Sequence, residues 1–178
     1  FVKAINKRND IDFVIHGGDM SDFGVTKEFL WQRDIMNGLS VPYVTLIGNH
    51  DCLGTGAETY KAIFGPTNFS FIAGDVKFVC LNTNALEYDY SEPVPDFTFM
   101  ENELTNRTDE FNKTVISMHY VKQYPGIQFC TAAHTHHYRD DVIFDDGIHY
   151  VTSDSMDKRT YLVFTITPEK YEYELVKY

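Results

Sequence analysis

Long hydrophobic runs are missing from this chain of 178 residues. No stretch approaches the roughly 18 apolar residues that a membrane-crossing helix needs, so nothing in the sequence reads as a span. Paired cysteines are missing too. Cys52, Cys80 and Cys130 are odd in number and widely spaced, with no C-x-x-C, which argues against a disulfide framework and against a zinc–cysteine site. They read as small core residues, with Cys52 the one open to oxidation. Positive charge is scarce. The formal net charge is -11, with no basic patch or arginine-rich arm, and this argues against nucleic acid as a partner. No internal repeat, low-complexity tract or signal peptide is visible, and the sequons at Asn68, Asn106 and Asn112 carry meaning only in a secretory pathway.

What is present is a globular composition and a length suited to a single domain over 1–178. Phe1-Val2-x-x-Ile5 keeps helical spacing and reads as the tail of a helix. The run Tyr43-Val44-Thr45-Leu46-Ile47 is rich in β-branched residues and reads as a buried strand ending in Gly48-Asn49-His50-Asp51. Glycine lets the backbone turn there. An amide, an imidazole and a carboxylate then follow at a strand's carboxyl end, where open α/β sheets hold their ligands.

The pattern recurs. Ile11-Asp12-Phe13-Val14-Ile15 ends in His16-Gly17-Gly18-Asp19, strand 114–118 ends in His119, and strand 127–132 ends in His134-Thr135-His136-His137. Thr26 is the expected N-cap of a helix over 27–37, with Gly38 at its C-terminus and Phe29, Ile35 and Met36 as its buried stripe. A second helix is expected over 57–64, a hairpin from 68–72 and 76–81, a loop over 87–95, and a helix capped by Asp96 running to 105. The remainder reads as antiparallel, 141–144 with 148–152 and 161–167 with 171–176. Alternating β/α followed by antiparallel β predicts an α/β (mixed α+β) fold of two packed sheets with flanking helices.

Four strand ends thus supply Asp19, Asn49 with His50, His119, and His134 with His136 to one sheet edge. Imidazole, carboxylate and amide oxygen together suit zinc, iron or manganese. In His-x-His within an extended segment both imidazoles point the same way, because strand side chains alternate. Two such ligands beside a bridging carboxylate can hold two metal ions. Two metals about 3.5–4 Å apart can clamp the attacking and leaving oxygens of an in-line displacement at phosphorus. His16 reads as a packing or supporting residue, His137 as turned away from the side of His136, and His149 as an ordinary strand residue. Tyr88 and Tyr90 are candidates for stacking on a substrate base or sugar.

In order, Gly18-Asp19-x-x-Asp22-x-Gly24, Gly48-Asn49-His50-Asp51, His119 and His134-Thr135-His136 follow the motifs of the calcineurin-like metallophosphoesterases, so positions 18 to 136 resemble that family. The resemblance implies a four-layer α-β-β-α sandwich. It also implies a metal-dependent phosphoesterase acting on a small phosphorylated substrate, a phosphomonoester or phosphodiester. By position it makes Asp19 the carboxylate bridging two divalent ions. Asn49, His119 and His134 would complete one shell, and His136 would bind the other ion. His50 would protonate the leaving group, Asp22 would orient His50, and Asp51 would be structural. Metal-bound hydroxide would attack, with no covalent enzyme intermediate. Two departures stand out: Ala133, where the family has glycine, and Tyr120-Val121, where its members carry a proline pair.

The family begins with a strand ending in Asp-x-His, which supplies two ligands to one metal. Nothing here matches it, so the chain is expected to be incomplete at its N-terminus, and one metal keeps only Asp19 and His136. The alternative reading is a non-catalytic or mononuclear metal-binding domain that keeps the fold. Strands ending at His119 and His134 must be parallel to serve one edge, and parallel neighbours need a crossover of about a dozen residues. Only 120–126 stand between them, so residues are also expected to be missing soon after His119.

Overall fold

The computed structural model describes residues 1–85, 96–105, 111–119 and 127–178. The chain runs α1 (Val2–Ile5), β1 (Val14–His16), α2 (Thr26–Met36), β2 (Tyr43–Thr45), a 3-10 turn (His50–Cys52) and α3 (Gly56–Phe64). Next come β3 (Phe69–Ala73), β4 (Val76–Leu81), α4 (Phe97–Thr105), β5 (Lys113–Met118) and β6 (Phe129–Ala132). Then follow β7 (Arg139–Asp141), β8 (His149–Thr152), a second 3-10 turn (Met156–Lys158), β9 (Thr160–Ile166) and β10 (Tyr171–Lys177).

Six strands form one mixed sheet in the order β3-β4-β5-β6-β8-β7, parallel from β4 to β8 and antiparallel at both edges. Its parallel centre is covered on both faces, so β4 is buried along its whole length. On one face Val79, Leu81, Ile116, Met118 and Tyr150 pack with Met100 of α4. On the other, Val76, Phe78, Val115 and Phe129 meet Phe13, Ile15, Phe164 and Ile166. Those last residues bring in two small sheets, the parallel pair β1-β2 and the antiparallel pair β9-β10. Beyond β1-β2 lie α2 and α3, packed through Met20, Phe29, Met36, Ile47 and Tyr60. The layers therefore run helix, sheet, sheet, helix, the expected mixed α+β sandwich.

Three local expectations are corrected. Helix α2 begins at Thr26 itself, after an extended Val25 that makes no side-chain cap; Glu28 instead turns back to accept the Phe23 N–H at 3.0 Å. Phe29 and Met36 are buried, but Ile35 is 57% exposed, because one residue rotates a helix by about 100° and carries it off the face that positions 29 and 36 share. The apolar run 142–144 is not a strand. The edge strand is the charged β7, Asp140 opposite Val151, and charge on an edge strand discourages pairing with other chains. The Asp96 cap is present, its Oδ1 accepting the Phe99 N–H at 2.9 Å.

β5 and β6 are parallel neighbours, with Val115 opposite Phe129. The segment 120–126 that joins them, where missing residues are expected, lies outside the described residues. Between β1 and β9, each an outer strand of its small sheet, runs a cleft of about 1210 Å³ floored by Val76, Phe78, Val115 and Phe129 and reaching Asp19 and His136.

Candidate metal centre

The turn after β1 and the turn after β2 are built against each other. Gly18 (φ 102°) and Asp19 (φ 57°) both take the left-handed conformation, and for Asp19 this costs about 1–2 kcal/mol. Gly48 sits so close that a Cβ there would stand 2.1 Å from Asp19 Oδ1, so only glycine fits. Asp51 ties the turns together. Fully buried, it accepts the Ser21 N–H at 2.8 Å and the Ser21 hydroxyl at 3.0 Å on Oδ1, and the Gly48 N–H at 2.9 Å on Oδ2. Burial pushes its carboxyl above the usual carboxylate range, against those hydrogen bonds.

This packing brings Asp19, Asn49, His119 and His134 together. His119 is buried and donates from Nδ1 to the Gly17 carbonyl at 2.8 Å. Its Nε2 then faces Asn49 Oδ1 at 3.0 Å and Asp19 Oδ2 at 3.5 Å. His134 Nδ1 faces the same Asn49 oxygen at 3.3 Å. Burial lowers the His119 pKa below the ordinary imidazole range despite the nearby Asp19 carboxylate, so Nε2 carries a lone pair. The result is a chain of potential donor atoms, from Asp19 Oδ2 through His119 Nε2 and Asn49 Oδ1 to His134 Nδ1, with successive neighbours 3.0–3.5 Å apart. That spacing is near the roughly 3.4 Å between ligands in a tetrahedral site with metal–ligand bonds of about 2.0–2.2 Å. Among the described residues no cluster of three or more His, Cys, Asp or Glu side chains is drawn up ready for an ion; the convergence here runs through the amide of Asn49. The donor chemistry fits a divalent metal. The Nδ1 bond to Gly17 also fixes the ring and tautomer of His119, as partners of metal-binding histidines do.

His134 and His136 are not on a strand. Both adopt the left-handed conformation, at φ 67° and 57°, so their directions follow from a bent loop and not from strand alternation. His136 is exposed on the wall of the cavity that Asp19, His119 and His134 also line. Ala133, in the position of the family glycine, is not among the positive-φ residues.

His50 is exposed at the cavity rim. Its Nδ1 contacts the main-chain carbonyl of Asp22 at 2.8 Å, so it is the backbone of Asp22, not the carboxylate, that touches the ring. That hydrogen bond, with Asp19, Asp22 and Asp51 nearby, raises the His50 pKa above its ordinary value. His16 accepts the Gly18 N–H on Nδ1 at 3.3 Å, and burial pushes its pKa down to about 4; it supports the turn as a neutral ring. His137 turns to the Thr135 carbonyl at 2.7 Å, and His149 lies on β8 paired with Asp140 at 2.7 Å. Cys80 and Cys130 are core residues. Cys52 donates to the Gly48 carbonyl and burial pushes its thiol up to about 11, which leaves it little thiolate to oxidise. Tyr88 and Tyr90 lie outside the described residues.

A family model for calcineurin-like phosphoesterases matches residues 1–138. The chain belongs to that family. The calcineurin-like phosphoesterases are in the main metal-dependent phosphoester hydrolases, and Asp19, Asn49, His119 and His134 lie within the matched residues. Among solved structures, purple acid phosphatase PPD1 from yellow lupin (Lupinus luteus) seeds is similar with a TM-score of 0.63 at 16% identity, over 85% of this chain and 38% of that one. A Thermotoga maritima protein scores 0.48 at 15% identity over 99% and 87% of the two chains. Vps29 from Entamoeba histolytica, as a single mutant, scores 0.48 at 11% over 100% and 88%. The lupin likeness shows the shared fold, and the chain spans 38% of the length of that phosphatase. A search of curated proteins found no match.

Proposed function

We propose that this calcineurin-like phosphoesterase hydrolyses a small phosphomonoester or phosphodiester with two divalent ions, manganese, iron or zinc, one of them held by Asp19, Asn49, His119 and His134. The observation that carries the reading is the meeting of Asn49 Oδ1, His119 Nε2, His134 Nδ1 and the Asp19 carboxylate within 3.0–3.5 Å contacts. When bound, the metal supplies Lewis-acid chemistry, polarising a phosphoryl oxygen and activating water. The chain's own residues supply orientation and a proton. Gly17 fixes His119 through its carbonyl, and Asp51 sets the turns that carry Asp19 and Asn49. His50 is the proton donor to the leaving oxygen. Its Nδ1 is engaged by Asp22, and its raised pKa keeps the ring protonated to higher pH, the state a general acid needs.

A second ion would have Asp19 and His136 as donors, fewer than a closed site uses. That shortage supports a second reading, in which a single ion is held. Hydrolysis of bis(p-nitrophenyl) phosphate with added Mn²⁺, with and without chelator, tests the proposal. Turnover should be chelator-sensitive, and His50→Ala should lose about 10²–10⁴-fold in rate while metal stays bound. Absence of turnover with one ion or none per chain would favour the binding-domain reading.

A further inference from the structure

His134 and His136 hold left-handed backbone conformations, φ 67° and 57°, without the glycine that such positions favour. Within the loop the Thr135 N–H reaches the Ala133 carbonyl at 2.8 Å, the Thr135 hydroxyl the His137 carbonyl at 3.5 Å, and the His137 ring the Thr135 carbonyl at 2.7 Å. Backbone held this way persists where surrounding structure fixes it. His134 meets Asn49 and the Ala133 N–H bonds the His119 carbonyl, and the segment after β8 supplies further surrounding structure. The Ser153 N–H donates to the Ala132 carbonyl at 2.9 Å. Asp154, with a side chain 13% exposed, accepts the Tyr138 N–H at 2.8 Å and Lys158 Nζ at 2.9 Å on Oδ1, and the Thr160 hydroxyl at 3.2 Å on Oδ2. Lys158, on the second 3-10 turn, also donates to the His136 carbonyl. One carboxylate and one ammonium thus grip the loop at residues 136 and 138 and anchor it to the start of β9.

We infer that Asp154 and Lys158 are positioning residues that hold the loop after β6 at His136 and Tyr138, and with it the left-handed conformation of His136. What the loop is held for rests on the metal-centre reading; that it is held does not. Hydrogen exchange of the metal-free 178-residue chain tests the grip directly, and Mn²⁺ titration followed by electron paramagnetic resonance tests its consequence. Lys158→Met and Asp154→Ala should speed exchange over residues 134–138 about tenfold and weaken Mn²⁺ binding about tenfold, as loss of outer partners does at metal sites. The melting temperature of the metal-free Lys158→Met protein should change little, and Lys158→Arg, which can still donate to both partners, should restore exchange and affinity together. Should Asp154→Ala fail to fold, Asp154→Asn, of similar volume with one acceptor left, carries the same test. Unchanged exchange in the Met and Ala variants, or an Arg variant as impaired as the Met variant, would overturn the inference. A wild-type chain that binds no Mn²⁺ while its variants exchange faster would sink the metal reading and leave the grip standing.

Discussion

At the scale of single residues, Gly17 and Ala133 divide one space between them. A Cβ on Gly17 would stand 2.8 Å from the Ala133 methyl, closer than two carbons pack. Gly17 leaves the room for the Ala133 methyl. Gly17→Ala is expected to destabilise the protein by about 1–3 kcal/mol through overpacking. Ala133→Gly in the same chain should recover most of that loss, a coupling readable from urea midpoints of the four chains of a double-mutant cycle. If Gly17→Ala is silent, or the second substitution rescues nothing, the two residues do not share that space. The same pair marks the limit of what single residues reveal in sequence. Asp19, Asn49, His119 and His134 were legible as candidate donors because their side-chain chemistry is distinctive. The carbonyls of Gly17 and Asp22, which fix His119 and His50, were not, since every residue carries the same main-chain acceptor and only the fold decides which one is near.

At the scale of elements, an ion pair helps tie α4 to the large sheet. Lys77 on β4 is 7% exposed, and its Nζ meets Glu103 Oε2 and the Glu103 carbonyl, each at 2.7 Å, while the Ser70 hydroxyl donates to the same carboxylate at 2.6 Å. The Lys77 ammonium, then Ser70, lowers the Glu103 pKa below 4.5. A carboxyl whose folded pKa is depressed stabilises the fold above its unfolded pKa, and that contribution is lost as pH falls through the folded value. Glu103→Gln should therefore cost about 1–2 kcal/mol at neutral pH. Its urea midpoint should converge on that of the wild type as the pH drops below 4.5. A gap that persists unchanged to low pH would show that the pair does not act through charge. Elements were legible where a pattern had one physical cause: the β-branched runs before Gly48 and His119 became strands, and Asp96 became a helix cap. The His134–His136 loop and the run 142–144 were misread for a shared reason. Spacing of side chains describes an extended backbone only after it is known to be extended. Here left-handed residues bend the first segment, and the charged β7 takes the ladder position that the second was expected to fill.

At the scale of the whole molecule, the candidate centre is where the two sheet layers meet. Asp19 and Asn49 follow β1 and β2 in one layer, and His119 and His134 follow β5 and β6 in the other. The sequence placed all four at strand ends but could not show which sheet each strand joins, because pairing between distant segments leaves no local trace. The consequence is mechanical as well as chemical. An ion held by both pairs cross-links the layers, and it cannot be held by the unfolded chain in the same way. Binding to the folded state alone adds about 2.7 kcal/mol at a free ion concentration one hundred times the dissociation constant. For a chain of this size each kcal/mol moves the melting temperature by about 2–4 °C, so saturating Mn²⁺ should raise it by about 5–10 °C and chelator should reverse the rise. Asn49→Ala removes the oxygen that both histidine rings face, and it should flatten the response by weakening the hold of each layer on the ion. The opposite pattern, a melting temperature indifferent to Mn²⁺ in the wild type, would mean that the four donors meet without forming a link between the sheets.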